Sequence, residues 1–347
     1  MRRILLLCIF VLTAAASAAQ TVQATLPADG PRTIALCGDI MMGTTYPTVR
    51  LPEKDGADIF ADVKQLFLDA DFSAGNLEGV ICEGGSCTKN TGKANNYAFR
   101  MPESYVHLLT DAGFDYLNLA NNHTNDFGSY GLERTREVLE REGIAYSGLP
   151  DCESVVVEKD GVRYGVCSFG HNSYTLKHTD TASVTRIVTA LRPKCDILIV
   201  TFHGGAEGSK YSHLPDGPET YLGENRGNLR AFAHHCIDLG ADLVFGHGPH
   251  VTRAVECYND RLIAYSLGNF CFGGNTDPDD KDTMIFQQTF TFVNGELQPD
   301  DYIKIIPASV SGVSYCNNYQ PVVLEGSEKE RVMRKIMRFS SGFEYRE

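Results

Sequence analysis

The sequence predicts an α/β fold in which mixed β-sheets pack together within one domain. Two observations predict it. Through the first half, short apolar β-rich runs alternate with stretches of helical periodicity. From Glu153 onward, paired β-rich runs separated by turn residues become dominant. A length of 347 residues with 43% hydrophobic content suffices for one large domain or two smaller ones.

The chain opens with MRRILLLCIFVLTAAASAAQ, in which arginines precede an apolar core, Ile4 to Leu12, that ends in small residues. That is the pattern of a secretory signal peptide cleaved near Ala18 to Gln20, with an uncleaved anchor as the alternative. The core is too short to span a bilayer as a permanent helix. Cys8 lies inside it with no small residue just before, which argues against a lipoprotein. We therefore expect a leader over 1–19, a domain over 20–326, and a basic helix and tail over 327–347.

The elements follow in order. TIALCGD, Thr33 to Asp39, is a strand ending in Gly-Asp. Ala57 to Ala70 has helical spacing, with Ile59, Val63, Leu66 and Phe67 on one face. FSAGNLEG is a strand, and CEGGSC after it spaces Cys82 and Cys87 for a small disulfide loop. Glu103 to Gly113 reads as a helix stopped by its glycine, DYLNLANNH as a strand, Tyr130 to Gly143 as a helix. ESVVVEKDGVRYGVCSFG is a hairpin turning at Lys159-Asp160-Gly161. A helix over Thr181 to Leu191 precedes the buried strand DILIVTFHGG, and Ala206 to Gly227 reads as a long loop. A helix, Gly240 and a strand then lead into GHGPH. A second hairpin turns at Asn259-Asp260, residues 284–306 supply two further strands, and EKERVMRKIMRFS is a basic amphipathic helix.

The net charge of −13 argues against nucleic-acid binding, which needs a basic face. Cys37, Cys167 and Cys195 sit in or beside apolar runs and read as small buried residues. No C-x-x-C pair occurs, so a zinc ribbon is not expected.

Chemistry gathers at the strand ends. Asp39 follows ALCG; Asn76 and Glu78 follow FSAG; Asn121, Asn122 and His123 follow YLNLA, with Asp126 beyond; His203 follows ILIVTF; His247 and His250 follow DLVFG. Sites in α/β sheets form outside the carboxyl ends of strands. Any one of these residues alone reads as a turn or capping residue. Five strands delivering carboxylates, amides and imidazoles at the same end read as a metal site, and mixed oxygen and imidazole ligands suit Zn, Mn or Fe. His107, within a helix, and His234 and His235, mid-helix, read as structural. His171, His178 and His213 fall on loops without a specified role.

GDIMMG, NLEG, FRMP, LANNHTNDFG, FHGGAEG, GHGPH and YSLGNF occur in this order from Thr33 to Phe270, and in this the chain resembles the CapA family of bacterial poly-γ-glutamate capsule-synthesis proteins. The resemblance implies a calcineurin-like metallophosphoesterase fold, two mixed sheets sandwiched by helices with two divalent ions at the strand ends. It implies Asp39, Glu78, Asn122, His203, His247 and His250 as metal ligands and His123 as the catalytic histidine. Arg100, in FRMP, is a candidate clamp for a substrate carboxylate. The phosphoesterase pattern has a histidine two residues after the first aspartate, where this chain has Met41, and a bridging aspartate, where it has Glu78.

Three functions follow as expectations. One is an exported metal-dependent hydrolase or transferase acting on an amide-linked acidic envelope polymer such as poly-γ-glutamate. The second is a non-catalytic accessory protein that binds, exports or anchors that polymer beside membrane-bound capsule-synthesis machinery. The third is a secreted phosphoesterase, against which Met41 and Glu78 count.

Overall fold

The computed structural model describes residues 26–93, 96–273, 278, 280–298 and 303–340; the expected leader lies outside them. Strand Gly30–Met41 carries the logic of the fold in its alternation. Ile34 and Leu36 enter one apolar cluster, Ala35 and Cys37 another, and all four are fully buried. A strand buried on both faces must lie inside a layered structure.

Among the described residues, nine strands form the first sheet. Its path runs from Val322–Val323 through Ile303–Ser309, Asp282–Val293, Gly30–Met41, Phe72–Leu77 and Tyr116–Asn118 to Ala145–Ser147. Gly30–Met41, Phe72–Leu77, Tyr116–Asn118 and Ala145–Ser147 are parallel, so their carboxyl ends share one edge. The second, six-stranded sheet runs Val255–Tyr258, Arg261–Ala264, Leu243–His247, Ile197–His203, Val162–Phe169 and Ser154–Lys159. Its four middle strands are parallel.

The sheets face each other across Ile34, Leu36, Phe72 and Tyr116 on one side and Tyr164, Ile199, Leu243 and Phe245 on the other. Phe72 and Tyr164 stack at 4.6 Å between ring centroids. Helices Val106–Asp111 and Gly128–Arg141 cover the outer face of the first sheet, and Thr181–Leu191 and Leu229–Asp238 that of the second. The expected two mixed sheets sandwiched by helices are therefore present. Helix Gly326–Met337 closes the inter-sheet core with Val332 and Ile336, while Arg331 and Lys335 hold Asp282 at 2.6 and 2.9 Å. Two of its basic residues thus hold the helix to the sheet. No described helix is long and apolar enough to cross a membrane.

Both expected hairpins form. Asp160 and Gly161, and Asn259 and Asp260, adopt positive φ, the conformation that tight two-residue turns require. Gly113 at φ 88° ends its helix, with Phe114 donating back to Leu109. Three expectations need correction. The helix expected over Ala57 to Ala70 is α-helical only at Lys64–Leu68. Its apolar face is nonetheless buried through Ile59, Val63 and Phe67, so packing fixes the segment where a short uncapped helix would not hold. The loop over Ala206 to Gly227 contains a hairpin, Glu219–Tyr221 with Glu224–Gly227, turned by Leu222 and Gly223 at positive φ. Cys82 and Cys87 are free thiols that donate to the carbonyls of Gly84 and Lys89, so the expected bridge is not formed.

Candidate metal centre

Strand register builds the site. Asn269, Asp39, Asn76 and Asn118 lie side by side across four neighbouring strands. In the second sheet His203 and His247 are paired directly. Gly38 lets the Asp39 strand approach its neighbour: a Cβ there would lie 1.8 Å from the Gly268 carbonyl oxygen, which accepts from the Asp39 amide at 3.0 Å.

Asp39, Glu78, His203 and His247 are all fully buried. Asp39 Oδ1 accepts from Asn76 Nδ2 at 2.8 Å and lies 3.2 Å from His247 Nδ1; Asp39 Oδ2 lies 3.0 Å from His250 Nδ1. Glu78 Oε1 faces His203 Nε2 at 3.4 Å, His250 Nε2 at 3.5 Å and His123 Nε2 at 3.9 Å. Candidate ligand atoms of Asp39, Glu78 and His203 all lie within 4.8 Å of one another. Glu78 Oε1, Asn122 Oδ1 and both ring nitrogens of His203 and of His247 are buried without a hydrogen-bond partner. Orphaned buried groups of this kind are costly, and those of Glu78 and His203 fall in the cluster formed with Asp39. The donor set therefore fits a divalent ion of the imidazole- and carboxylate-binding type.

Burial pushes Glu78 upward, with the charge of Asp39 adding to it against the pull of His250 and His123. Burial works the same way on Asp39, but the imidazoles of His247 and His250 set against its two oxygens outweigh it and hold the carboxyl ionised. Burial holds His203 neutral, the form in which imidazole ligates a metal.

His123 stands at the edge of this cluster. Its Nδ1 meets Asp126 Oδ2 at 2.8 Å, which turns Nε2 toward Glu78. Lys89 lies 2.7 Å from Asp126 Oδ1 and 3.1 Å from His123 Nδ1, and Phe99 packs on the ring at 4.3 Å. His123, His250 and Asn122 line a cavity of about 600 Å³, whose walls also include Arg50, Lys89 and Arg226.

The structure thus gathers Asp39, Glu78, Asn122, His123, His203, His247 and His250. It does not bring Arg100 to the cavity wall. The Arg100 guanidinium lies 5.0 Å from the centre of the Phe127 ring, and its Nε donates to Thr45. Two residues of consequence act through partners that the sequence does not show. Asn76 holds the carboxylates of Asp39 and Glu78 with its Nδ2 and accepts from Asn118 and Asn121 with its Oδ1. Lys89 reaches His123 across 34 residues of sequence, from the loop that begins at Cys82. Of the remaining histidines, His107 is exposed beside the Ser104 carbonyl, His234 stacks on Tyr258, His235 meets Thr185, and His213 lies against Phe339.

Fold and site together define a layered α/β/β/α protein with a candidate divalent-metal site at the carboxyl ends of its parallel strands. The chain belongs to the family described as bacterial capsule synthesis protein PGA_cap, whose profile matches residues 33–274. It is 30% identical over 275 residues to the PGA biosynthesis protein CapA of Bacillus subtilis (strain 168), covering 74% of this chain and 67% of that protein. It is 30% identical over 262 residues to the capsule biosynthesis protein CapA of Bacillus anthracis, covering 69% of this chain and 59% of the relative. The chain therefore spans only part of the length of these relatives. A putative 5′-nucleotidase from Staphylococcus aureus aligns with a TM-score of 0.45 and 12% identity, over 89% of this chain and 58% of that one. That likeness carries no functional argument.

Proposed function

We propose that the protein is an exported metal-dependent hydrolase or transferase acting on an amide-linked acidic envelope polymer such as poly-γ-glutamate. The observation that carries this reading is the buried cluster of orphaned carboxylate and imidazole atoms opening, past an oriented His123, into a cavity that Lys89 and Arg50 help to line. Divalent ions bound there, two of Mn, Fe or Zn, would supply a polarised carbonyl and an acidified water.

The chain's own residues do the rest. Asn76 fixes the carboxylates of Asp39 and Glu78. Asp126 holds His123 by Nδ1, so Nε2 is the atom that can pass a proton to a leaving nitrogen. Lys89 offsets the charge of a carboxylate-bearing substrate at the cavity wall. Capsule biosynthesis in the named relatives supports a polymer of this class.

A second reading, polymer binding without catalysis, draws on Met41. It is fully buried where the phosphoesterase pattern has an imidazole, and so leaves one ligand fewer. Incubation of the metal-loaded protein with poly-γ-glutamate separates the two: release of new amino groups, lost in His123→Ala, supports catalysis. Retention of the polymer without cleavage supports binding alone.

A further inference from the structure

Asn122 is supported differently from its neighbours. Its Oδ1 is buried without a hydrogen-bond partner, and the residue lines the cavity beside His123 and His250. The residues around it are pinned by their side chains. Asn121 Nδ2 donates to Asn76 Oδ1 at 3.0 Å and to the Leu77 carbonyl at 2.8 Å, while Asn121 Oδ1 accepts from the His123 amide at 3.0 Å. Asp126 holds the His123 ring, and the Thr124 hydroxyl donates to the Leu119 carbonyl. Asn122 takes part in none of these bonds. Among the described residues its one hydrogen bond is with Tyr174, at 2.9 Å between the phenol oxygen and the Asn122 carbonyl. A carbonyl only accepts, so the phenol is the donor.

Tyr174 comes from the other sheet. It lies in the loop after strand Val162–Phe169, 52 residues along the chain from Asn122, and it lines the same cavity. That loop is closed on itself. The Gly170 amide donates to the Leu176 carbonyl at 2.7 Å, the His178 amide to the Gly170 carbonyl at 3.0 Å, and Thr175 Oγ1 to the Asn172 carbonyl at 3.1 Å. It is also fastened to the first sheet, because the Leu176 amide donates at 3.0 Å to the carbonyl of Gly148, just past strand Ala145–Ser147. A Cβ on Gly170 would lie 2.6 Å from the Ala120 carbonyl oxygen, so the loop packs directly on the chain that leads into Asn122. A tyrosine has only two side-chain torsions, so a braced loop gives its hydroxyl a fixed place.

We propose that Tyr174 is a positioning residue of the metal centre: its hydroxyl fixes the Asn122 main chain and so aims Asn122 Oδ1 as a metal ligand. The inference rests on the divalent-metal reading of the site and adds a supporting residue to it. Groups that orient metal ligands through hydrogen bonds are worth about 10–100-fold in metal affinity.

The test is a double-mutant cycle on the full chain, read by competition with a chromogenic chelator for Zn²⁺. Tyr174→Phe keeps the ring and removes only the hydroxyl. It should weaken Zn²⁺ binding about 10–100-fold while circular dichroism shows the fold unchanged. In an Asn122→Ala background the same substitution should change affinity by less than about twofold, because the ligand it aims is gone. A tyrosine acting only through general packing would weaken binding equally in both backgrounds, and that result overturns the proposal. Wild-type affinity in Tyr174→Phe, or in Asn122→Ala alone, also overturns it and leaves the metal reading standing. A wild-type protein that takes up no Zn²⁺, Mn²⁺ or Fe²⁺ overturns the metal reading and this proposal with it.

Discussion

Arg253 and Glu219 form an ion pair that holds the hairpin of the cavity wall to the body of the protein. Arg253 is fully buried and Glu219 is 7% exposed. The contact is bidentate, at 2.9 and 2.8 Å, and Glu219 Oε1 also accepts from the Ala206 amide at 3.0 Å. Arg253 Nη2 donates to the Ala206 carbonyl at 3.0 Å, while its Nε is buried without a partner. Glu219→Leu strands a buried guanidinium and should cost about 3–5 kcal/mol. Adding Arg253→Met removes the stranded charge. What then remains is the loss of partners at the Ala206 backbone, about 1–3 kcal/mol. The double variant should therefore be more stable than Glu219→Leu alone. Equilibrium urea unfolding with linear extrapolation measures each step. A single variant that costs less than about 1 kcal/mol, or a double variant no better than the single, would refute the reasoning, because the pair would then not behave as desolvated charges.

Asp126→Asn should lower turnover of the polymer by about 10²–10⁴-fold, because His123 loses the carboxylate that orients it, while metal content is retained. Asn76→Ala should weaken metal affinity about 10–100-fold, as loss of a group supporting ligating carboxylates does; competition with a chromogenic chelator reads it. Burial lowers the pKa of His178 from 6.5 to about 3. Between those values the unfolded chain binds a proton that the folded chain refuses. Its contribution is therefore full above pH 6.5 and falls by about 1.4 kcal/mol per unit as pH drops toward 3. Urea midpoints across that range should show the slope reduced by one proton in His178→Gln.

Much of this was legible in the sequence because local and tertiary signals agreed. Gly-Asp after ALC, and histidine after ILIVTF and DLVFG, mark the ends of strands that are parallel in the structure, so sequence position translated into spatial proximity. The hairpins at Asp160-Gly161 and Asn259-Asp260 carried their own turn chemistry. What escaped lacked a local signature. Asn76 is visible in the sequence at its strand end, but its bonds to the carboxylates of Asp39 and Glu78 follow only from the register that sets it between Asp39 and Asn118. Lys89 meets His123 only through the path of a loop. The hairpin at 219–227 has strands too short for a periodicity to show, and Arg100 was placed by its motif neighbours although its own contacts are Thr45 and Phe127.

The central claim is that the clustered carboxylates and imidazoles hold divalent metal. Elemental analysis of the chelator-free protein, with His203→Ala beside it, tests this directly. The account predicts about two equivalents of Mn, Fe or Zn in the wild type, and loss of metal in the variant while its fold persists. A wild-type protein that holds no stoichiometric metal after reconstitution with each ion would contradict it.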